Sequence, residues 1–396
     1  MSYDENDILY FARTDFRNAN TLFGVRQKDR LFHTWILGKT GTGKTTLLET
    51  MILQDIEQGR GAVFLDPHGD AISKIKNSIP AHRVRDVIYM DITDPHQPLR
   101  YNPLKRVSVE NRALVASGII DVFKKLWSDS RSWGIKLEHL LRYNILLLLD
   151  QPTADFSDIP KLFYDKSFRQ QALLNVVSDD VKAFWTKEFP RYMYNDILPV
   201  LNKIGAMLAY PTIRRAVIDN KEEISLRKII DTKKILLVNL SKGIIGSDAS
   251  QILGSLLLTS LTSAAFSRAD TPEELRVPVS VYLDEFQNFA GLGLVTMLSE
   301  LRKYRIAMIL AHQYTKQLDP SVLDAVMGNV GTTICFRVDL HDATTLAKKM
   351  YPVFEVTDFL NLPNYHIYLS LMIDGVPSRP FSAVTIRPPE RSTEAL

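Results

Sequence analysis

The chain has 396 residues, with 48 lysines and arginines against 45 aspartates and glutamates, 45% apolar residues and one cysteine. This composition lies near globular averages and excludes collagen-like, coiled-coil and disordered classes; a chain this long also buries enough apolar surface to need no disulfide or metal staple. A net charge of +3 excludes no partner, because phosphate backbones are held by local stripes of Lys and Arg and not by the overall sum.

Taken in order, the first residues, Met1 to Asp7, are acidic and lead into no apolar core, so no signal or transit peptide is expected. Continuous β-branched apolar runs follow: Trp35–Leu37, Ala62–Leu65, Val87–Met90, Ile235–Val238, Val279–Leu283, Ile306–Leu310 and Thr333–Val338. Runs that are apolar without alternation read as parallel strands covered on both faces, and the helix-length intervals between most of them predict a layered α/β sheet. From about 105 to 225 no strand is expected. Val115, Ile119, Phe123 and Leu126 fall at helical spacing, as do Leu137, Leu141, Ile145 and Leu148, which predicts an inserted all-α domain carrying the whole net charge of +3. The expected organisation is a nucleotide-binding α/β domain in two parts, 1–104 and 226–387, split by the insert 105–225 and followed by a flexible tail, 388–396. The apolar stretch Ile252–Phe266 is interrupted by Gly254 and by Ser and Thr. It falls short of the roughly 20 residues of a bilayer span, so no membrane segment is expected. Cys335 lies in a strand-like run and is expected to be a buried structural thiol, as suits a reducing cytoplasm. His366–Ile373 and Ser382–Ile386 read as a hairpin closing the sheet, with Asp374-Gly375 as its turn.

Chemistry concentrates at a few places. Gly38-Lys39-Thr40-Gly41-Thr42-Gly43-Lys44-Thr45 satisfies G-x-x-x-x-G-K-[ST] between a strand and the helix-compatible run Thr46–Glu57. Glycines let consecutive N–H groups wrap a triphosphate, Lys44 would reach its β- and γ-phosphates, and Thr45 would hold Mg²⁺. Thr46 completes the expected nucleotide contacts. The strand Val279–Leu283 ends in Asp284-Glu285, where Asp284 would bind Mg²⁺ through water and Glu285 would act as general base. Gln313 follows the next strand, within reach of the γ-phosphate, and His312 beside it reads as structural. Asp66, with His68 and Asp70, stands on the same edge. It reads as a turn beside the nucleotide, with Asp66 among the nucleotide-binding residues, and not as a metal centre, since no Cys/His cluster accompanies it.

Together with Phe64–Asp70, Tyr101-Asn102-Pro103-Leu104, Leu237–Gly243, Leu283–Phe286, Leu301-Arg302-Lys303-Tyr304 and Ala311-His312-Gln313, the P-loop resembles the HerA/FtsK superfamily. Within it the chain is most similar to the motor of conjugative and type IV secretion coupling proteins, from about Leu22 to Val384. The resemblance implies a RecA-like, hexameric, DNA-dependent ATPase that translocates DNA. It implies Gln313 as γ-phosphate sensor and Arg302 as an arginine finger reaching a neighbouring subunit, with Arg305 and Arg337 as further candidates. The segments Asn288–Leu294 and Tyr314–Asp319 would face DNA, where Lys316 is a candidate phosphate contact; Lys242 is another. The insert would meet secretion or relaxosome proteins, and a partner would bring the cytoplasmic motor to the inner membrane. A second reading is a nucleotide-switched assembly module that regulates a partner nuclease or secretion machine without pumping DNA; DNA-stimulated turnover separates the two. A small-molecule kinase finds no support in the insert or in Gln313.

Overall fold

The computed structural model describes residues 4–105, 107–127, 133–218 and 222–388, so the expected tail lies outside the described residues apart from Pro388. The strands are, in chain order, β1 (Ile8–Thr14), β2 (Leu22–Arg26), β3 (Thr34–Leu37), β4 (Gly61–Asp66), β5 (Val87–Asp91), β6 (Leu99–Arg100), β7 (Glu222–Glu223) and β8 (Ile235–Asn239). They continue as β9 (Val279–Leu283), β10 (Ile306–His312), β11 (Thr332–Cys335), β12 (His366–Ser370), β13 (Met372–Ile373), β14 (Val376–Pro377) and β15 (Phe381–Thr385). Eleven of them form one sheet in the order β2-β1-β15-β12-β11-β3-β10-β9-β4-β8-β5. From β11 to β5 all neighbours are parallel, while β12, β15, β1 and β2 extend the sheet antiparallel.

All seven expected strands lie in the parallel part, each apolar on both faces. In β3, Ile36 joins one core with Leu47, Met51, Phe64 and Ile309, while Trp35 and Leu37 join the other with Val63, Leu283 and Leu310. The first core is roofed by the helices Lys44–Glu57 and Asp70–Asn77. The second runs without a break from the sheet through the helix Ser247–Phe266 into the helical segment, where Val115, Ile119, Phe123, Leu141, Ile145 and Leu148 are buried. The stretch Ser247–Asp270 is long and apolar enough to cross a membrane, and 72% of its apolar window is buried inside the fold. Its helix is longer than the apolar run in the sequence suggests, because its serines and threonines also turn inward: Ser250, Ser255, Thr262 and Ser263 are buried. Three of these hydroxyls find carbonyls, Ser250 that of Leu240 at 2.7 Å, Ser255 that of Phe289 at 3.3 Å and Thr262 that of Leu258 at 2.8 Å.

Three expectations are corrected. The hairpin β1–β2 is an unanticipated addition, joining the sheet through β15. The C-terminal hairpin divides: β12 pairs with β15, but Asp374-Gly375 turns the separate ribbon β13–β14. Both turn residues have positive φ, 49° and 78°, as a two-residue hairpin turn requires, and their N–H groups donate to the Asp29 carboxylate at 3.0 and 2.9 Å. Finally, β7 falls within the interval expected to hold no strand. It pairs parallel with β6, and Lys105 bridges to Glu223 at 2.9 Å beside it, so the chain enters and leaves the helical segment at one place.

Candidate functional site

Register sets the site. Leu37 is level with His312, Leu310 with Leu283, and Leu283 with Leu65, so the carboxyl ends of β3, β10, β9 and β4 form one edge. From that edge the chain departs as Gly38–Thr45, Gln313, Asp284-Glu285 and Asp66, at the place where ligands of open α/β sheets bind.

The loop Gly38–Gly43 is braced from behind. A Cβ on Gly38 would stand 2.5 Å from Cβ of Phe336, and Gly43, with φ of 120°, lies against the ring of Tyr365. The Tyr365 N–H donates to the Thr42 carbonyl at 2.8 Å, and the Lys39 N–H donates to the Arg337 carbonyl at 2.9 Å. The Thr42 hydroxyl donates to the Lys39 carbonyl at 2.7 Å. Lys39, Thr40 and Gly41 form the exposed tip, and Lys44, Thr45 and Thr46 open the helix whose N-terminus presents unpaired N–H groups to an anion. The buried Lys44 ammonium donates to the carbonyls of Gly38 (2.5 Å) and Lys39 (3.1 Å). Burial lowers its pKa, and the charges of Glu285 and Asp284 oppose that shift.

Asp284 accepts from the Thr45 hydroxyl at 2.9 Å. It is 3% exposed, and burial pushes its pKa up to about 7, with the Glu285 and Asp66 charges adding to the rise. Glu285 stands in the left-handed region, with φ of 46°. Gln313 donates to one of its carboxylate oxygens at 2.9 Å and Gln287 to the other at 2.7 Å. Lys44, Thr45, Asp284, Glu285 and Gln313 are thus brought together.

Asp66 serves the fold more than the edge. Its carboxylate accepts from the N–H groups of His68 (2.8 Å), Ala71 (3.1 Å) and Ile72 (3.3 Å), capping the helix Asp70–Asn77. No group of three or more His, Cys, Asp or Glu fit to hold a metal occurs among the described residues. His312 is structural: it accepts from the Trp35 indole at 2.9 Å, and burial pushes its pKa down to about 3. Cys335 is buried, as expected.

The three candidate arginines separate. Arg302 and Arg305 precede β10, at the sheet edge opposite the P-loop; Arg302 is exposed and stacks on Phe32, 3.5 Å from the ring centre, while Arg305 pairs with Glu5 at 2.8 Å. Arg337 follows β11 beside the P-loop and donates to the Leu362 carbonyl (3.1 Å) and the Asn364 side chain (3.0 Å). Lys316 is exposed in the loop after Gln313, and Lys242, half-buried, donates its backbone N–H to the Pro67 carbonyl at 2.9 Å. Sequence reasoning missed Gln287 and Tyr365. Gln287 carried a signal, an amide two residues beyond the carboxylate pair; Tyr365 carried none, since only the tertiary fold brings it to the loop.

The family model for the type IV secretion-system coupling protein DNA-binding domain matches residues 24–351. No curated protein matches the sequence. Among solved structures the chain is similar to the bacterial conjugative coupling protein TrwBdeltaN70 in an unbound form: 16% identity, 94% of this chain and 89% of that one, TM-score 0.64. It is similar to the plasmid coupling protein TrwB in complex with ADP and Mg²⁺, at 15% identity over 94% of this chain and 88% of that one, TM-score 0.65. It is also similar to VirB4 of Thermoanaerobacter pseudethanolicus, at 13% identity over 98% of each chain, TM-score 0.64. At such identities the likeness concerns the fold, which is of the expected RecA-like α/β P-loop class with a mostly parallel central sheet.

Proposed function

Because this chain belongs to the family of type IV secretion-system coupling protein DNA-binding domains, we propose that it hydrolyses ATP with Mg²⁺ and uses the cycle to move DNA in conjugative transfer or related processing. The observation that carries this reading is the buried pair at the strand edge: Asp284 on the Thr45 hydroxyl, and beside it Glu285 held by two amides, 2.7 and 2.9 Å away. A carboxylate facing a P-loop hydroxyl, its pKa raised by burial and by the neighbouring carboxylates, is a donor set that suits a hard divalent ion completed by waters and phosphate oxygens. Thr45 and Asp284 would hold Mg²⁺, which supplies neutralisation of charge on the phosphates. Lys44 moves from its own loop's carbonyls to phosphate. Glu285 takes the proton of the attacking water once one of its amides lets go, and Gln313, which follows the strand beside the one that leads into the P-loop, would be that amide.

In this reading the motor acts as a ring: Arg302 lies on the edge away from its own P-loop and is exposed, a position from which it would serve a neighbour's nucleotide in a homo-oligomer, a hexamer by family resemblance. The helical segment 105–225 is the partner-specific part, and the loops Asn288–Leu294 and Tyr314–Asp319, the latter with Lys316, meet DNA. The motor works on the cytoplasmic side, where its one thiol stays reduced. Phosphate release by the purified chain, with and without DNA, tests the proposal. DNA should stimulate turnover, and Glu285→Gln should slow it about 10² to 10⁴-fold while ATP still binds. Turnover indifferent to DNA would favour the nucleotide-switched assembly module, and Lys44→Ala hydrolysing within twofold of the unaltered chain would remove the site itself.

A further inference from the structure

The helix Arg112–Leu126 ends on the loop that follows the carboxylate pair. There the Lys125 ammonium donates to the carbonyls of Gln287 (2.8 Å), Asn288 (3.3 Å) and Ala290 (2.6 Å). An ammonium has three hydrogens and no acceptor, so these three carbonyls use all it can give. They belong to the short turn Phe286–Asn288 and its exit, carbonyls that a single turn leaves without partners of its own. Burial pushes the Lys125 pKa down to about 8, and no carboxylate opposes the shift, so the lysine is spent on backbone and not on an ion pair. Gln287, held at its carbonyl by Lys125, holds Glu285 with its amide.

We infer that Lys125 is a positioning residue for Glu285, through which the helical segment sets the geometry of the general base. The chain of contacts is short and continuous: helix to ammonium, ammonium to the Gln287 carbonyl, Gln287 amide to the Glu285 carboxylate. Beside it runs a cleft of about 280 Å³ between the helical segment and the motor core, lined in part by Asp121, Lys124, Gln287 and Leu318. A partner that shifts the helix can therefore move Lys125 relative to the turn, and hydrolysis would answer to what the helical segment binds. The inference rests on the role proposed above for Glu285.

The test uses the full chain with Lys125→Met, which keeps the stem and removes the donors, and Lys124→Met as an exposed neighbour. Amide hydrogen exchange over 286–290 should rise about tenfold or more in Lys125→Met and stay unchanged in Lys124→Met. For ATP hydrolysis kcat should fall about tenfold with KM within twofold, the pattern of a lost transition-state interaction and not of lost binding. Gln287→Leu breaks the same link without touching the helix, and it removes a buried side-chain oxygen that has no partner, so it remains informative should Lys125→Met fail to fold. Its kcat should fall similarly, and in the double variant the two losses should not multiply. Unchanged exchange at 286–290, unchanged kcat in Gln287→Leu, or losses that multiply would each overturn the inference. A chain with no ATPase activity at all would instead defeat the proposed function, with exchange still deciding whether Lys125 holds the turn.

Discussion

The helix Lys44–Glu57 runs away from the P-loop edge of the sheet and carries buried polar groups toward both of its ends, Lys44 and Asp55, yet the two ends are built oppositely. At the far end Arg30 grips Asp55 with two bonds of 2.7 and 2.8 Å, the Tyr282 hydroxyl donates to Asp55 at 2.6 Å, and Arg60 adds a third cationic contact at 3.2 Å. Burial pushes the Asp55 carboxyl up, but the Arg30 guanidinium more than reverses this and holds it below the usual carboxylate range. At the P-loop end Lys44 makes no ion pair among the described residues, and Asp284 is left with a pKa raised to about 7. Burial is alike; pairing is not. A closed ion pair completes a fold, whereas unpaired buried charges of both signs within one site call for a ligand that carries both, such as a polyphosphate with its metal.

Asp55→Asn attacks the closed end and should have the largest effect, since it leaves Arg30 buried without its counter-charge. The loss should be about 3 to 5 kcal/mol in urea unfolding, with nucleotide affinity of the folded protein unchanged. A loss below about 1 kcal/mol would break the comparison. Asp284→Asn should act in the opposite direction on the nucleotide-free chain. Because the folded pKa is raised, the native state holds a proton that the unfolded chain gives up, so this group's contribution to stability is full below about pH 4 and is lost as pH rises through about 7. The asparagine has no such dependence. At pH 8 the variant should be more stable than the unaltered chain by on the order of 2 kcal/mol, with the gap narrowing as pH falls and closing by about pH 4, while Mg²⁺-dependent nucleotide binding is lost. An equal difference at both pH values would contradict the reading. Tyr282→Phe should have the smallest effect, about 1 kcal/mol for one hydroxyl in a network that keeps its ion pair, and ATP turnover should not move.

This contrast also explains what could be read in advance. The parallel strands were legible because both faces are covered and their apolar runs are unbroken. The P-loop and Asp284-Glu285 were legible because their chemistry depends on near neighbours along the chain. β1 and β2 were not: β1 mixes exposed Tyr10 and Arg13 with buried Leu9 and Phe11, as befits the outer part of a sheet. The far-end network was invisible for another reason, since Asp55 and Tyr282 are 227 positions apart and meet only when β9 lies beside β4. The C-terminal hairpin went astray because its turn was correct but its N–H groups are claimed by Asp29, which draws the ribbon off the sheet. Asp66 looked like a ligand contact because a carboxylate at a strand end resembles one whether it faces the ligand or caps the next helix.

The strand order has a consequence for the making of the protein. β3, which launches the P-loop, is complete at Leu37, but the strands on either side of it are β10 and β11, which begin at Ile306 and Thr332, and the residue that closes on Thr42 is Tyr365. During synthesis β3 therefore emerges from the ribosome before either neighbouring strand exists, and it waits until the segments from Ile306 onward have been translated. Contacts so distant in sequence are slow to form and pay their loop-closure entropy before any pairing repays it. The ATP pocket, begun at β3, is closed only after β10, β11 and Tyr365 have been made and docked, so nucleotide capture serves as a mark that these distant segments are in place.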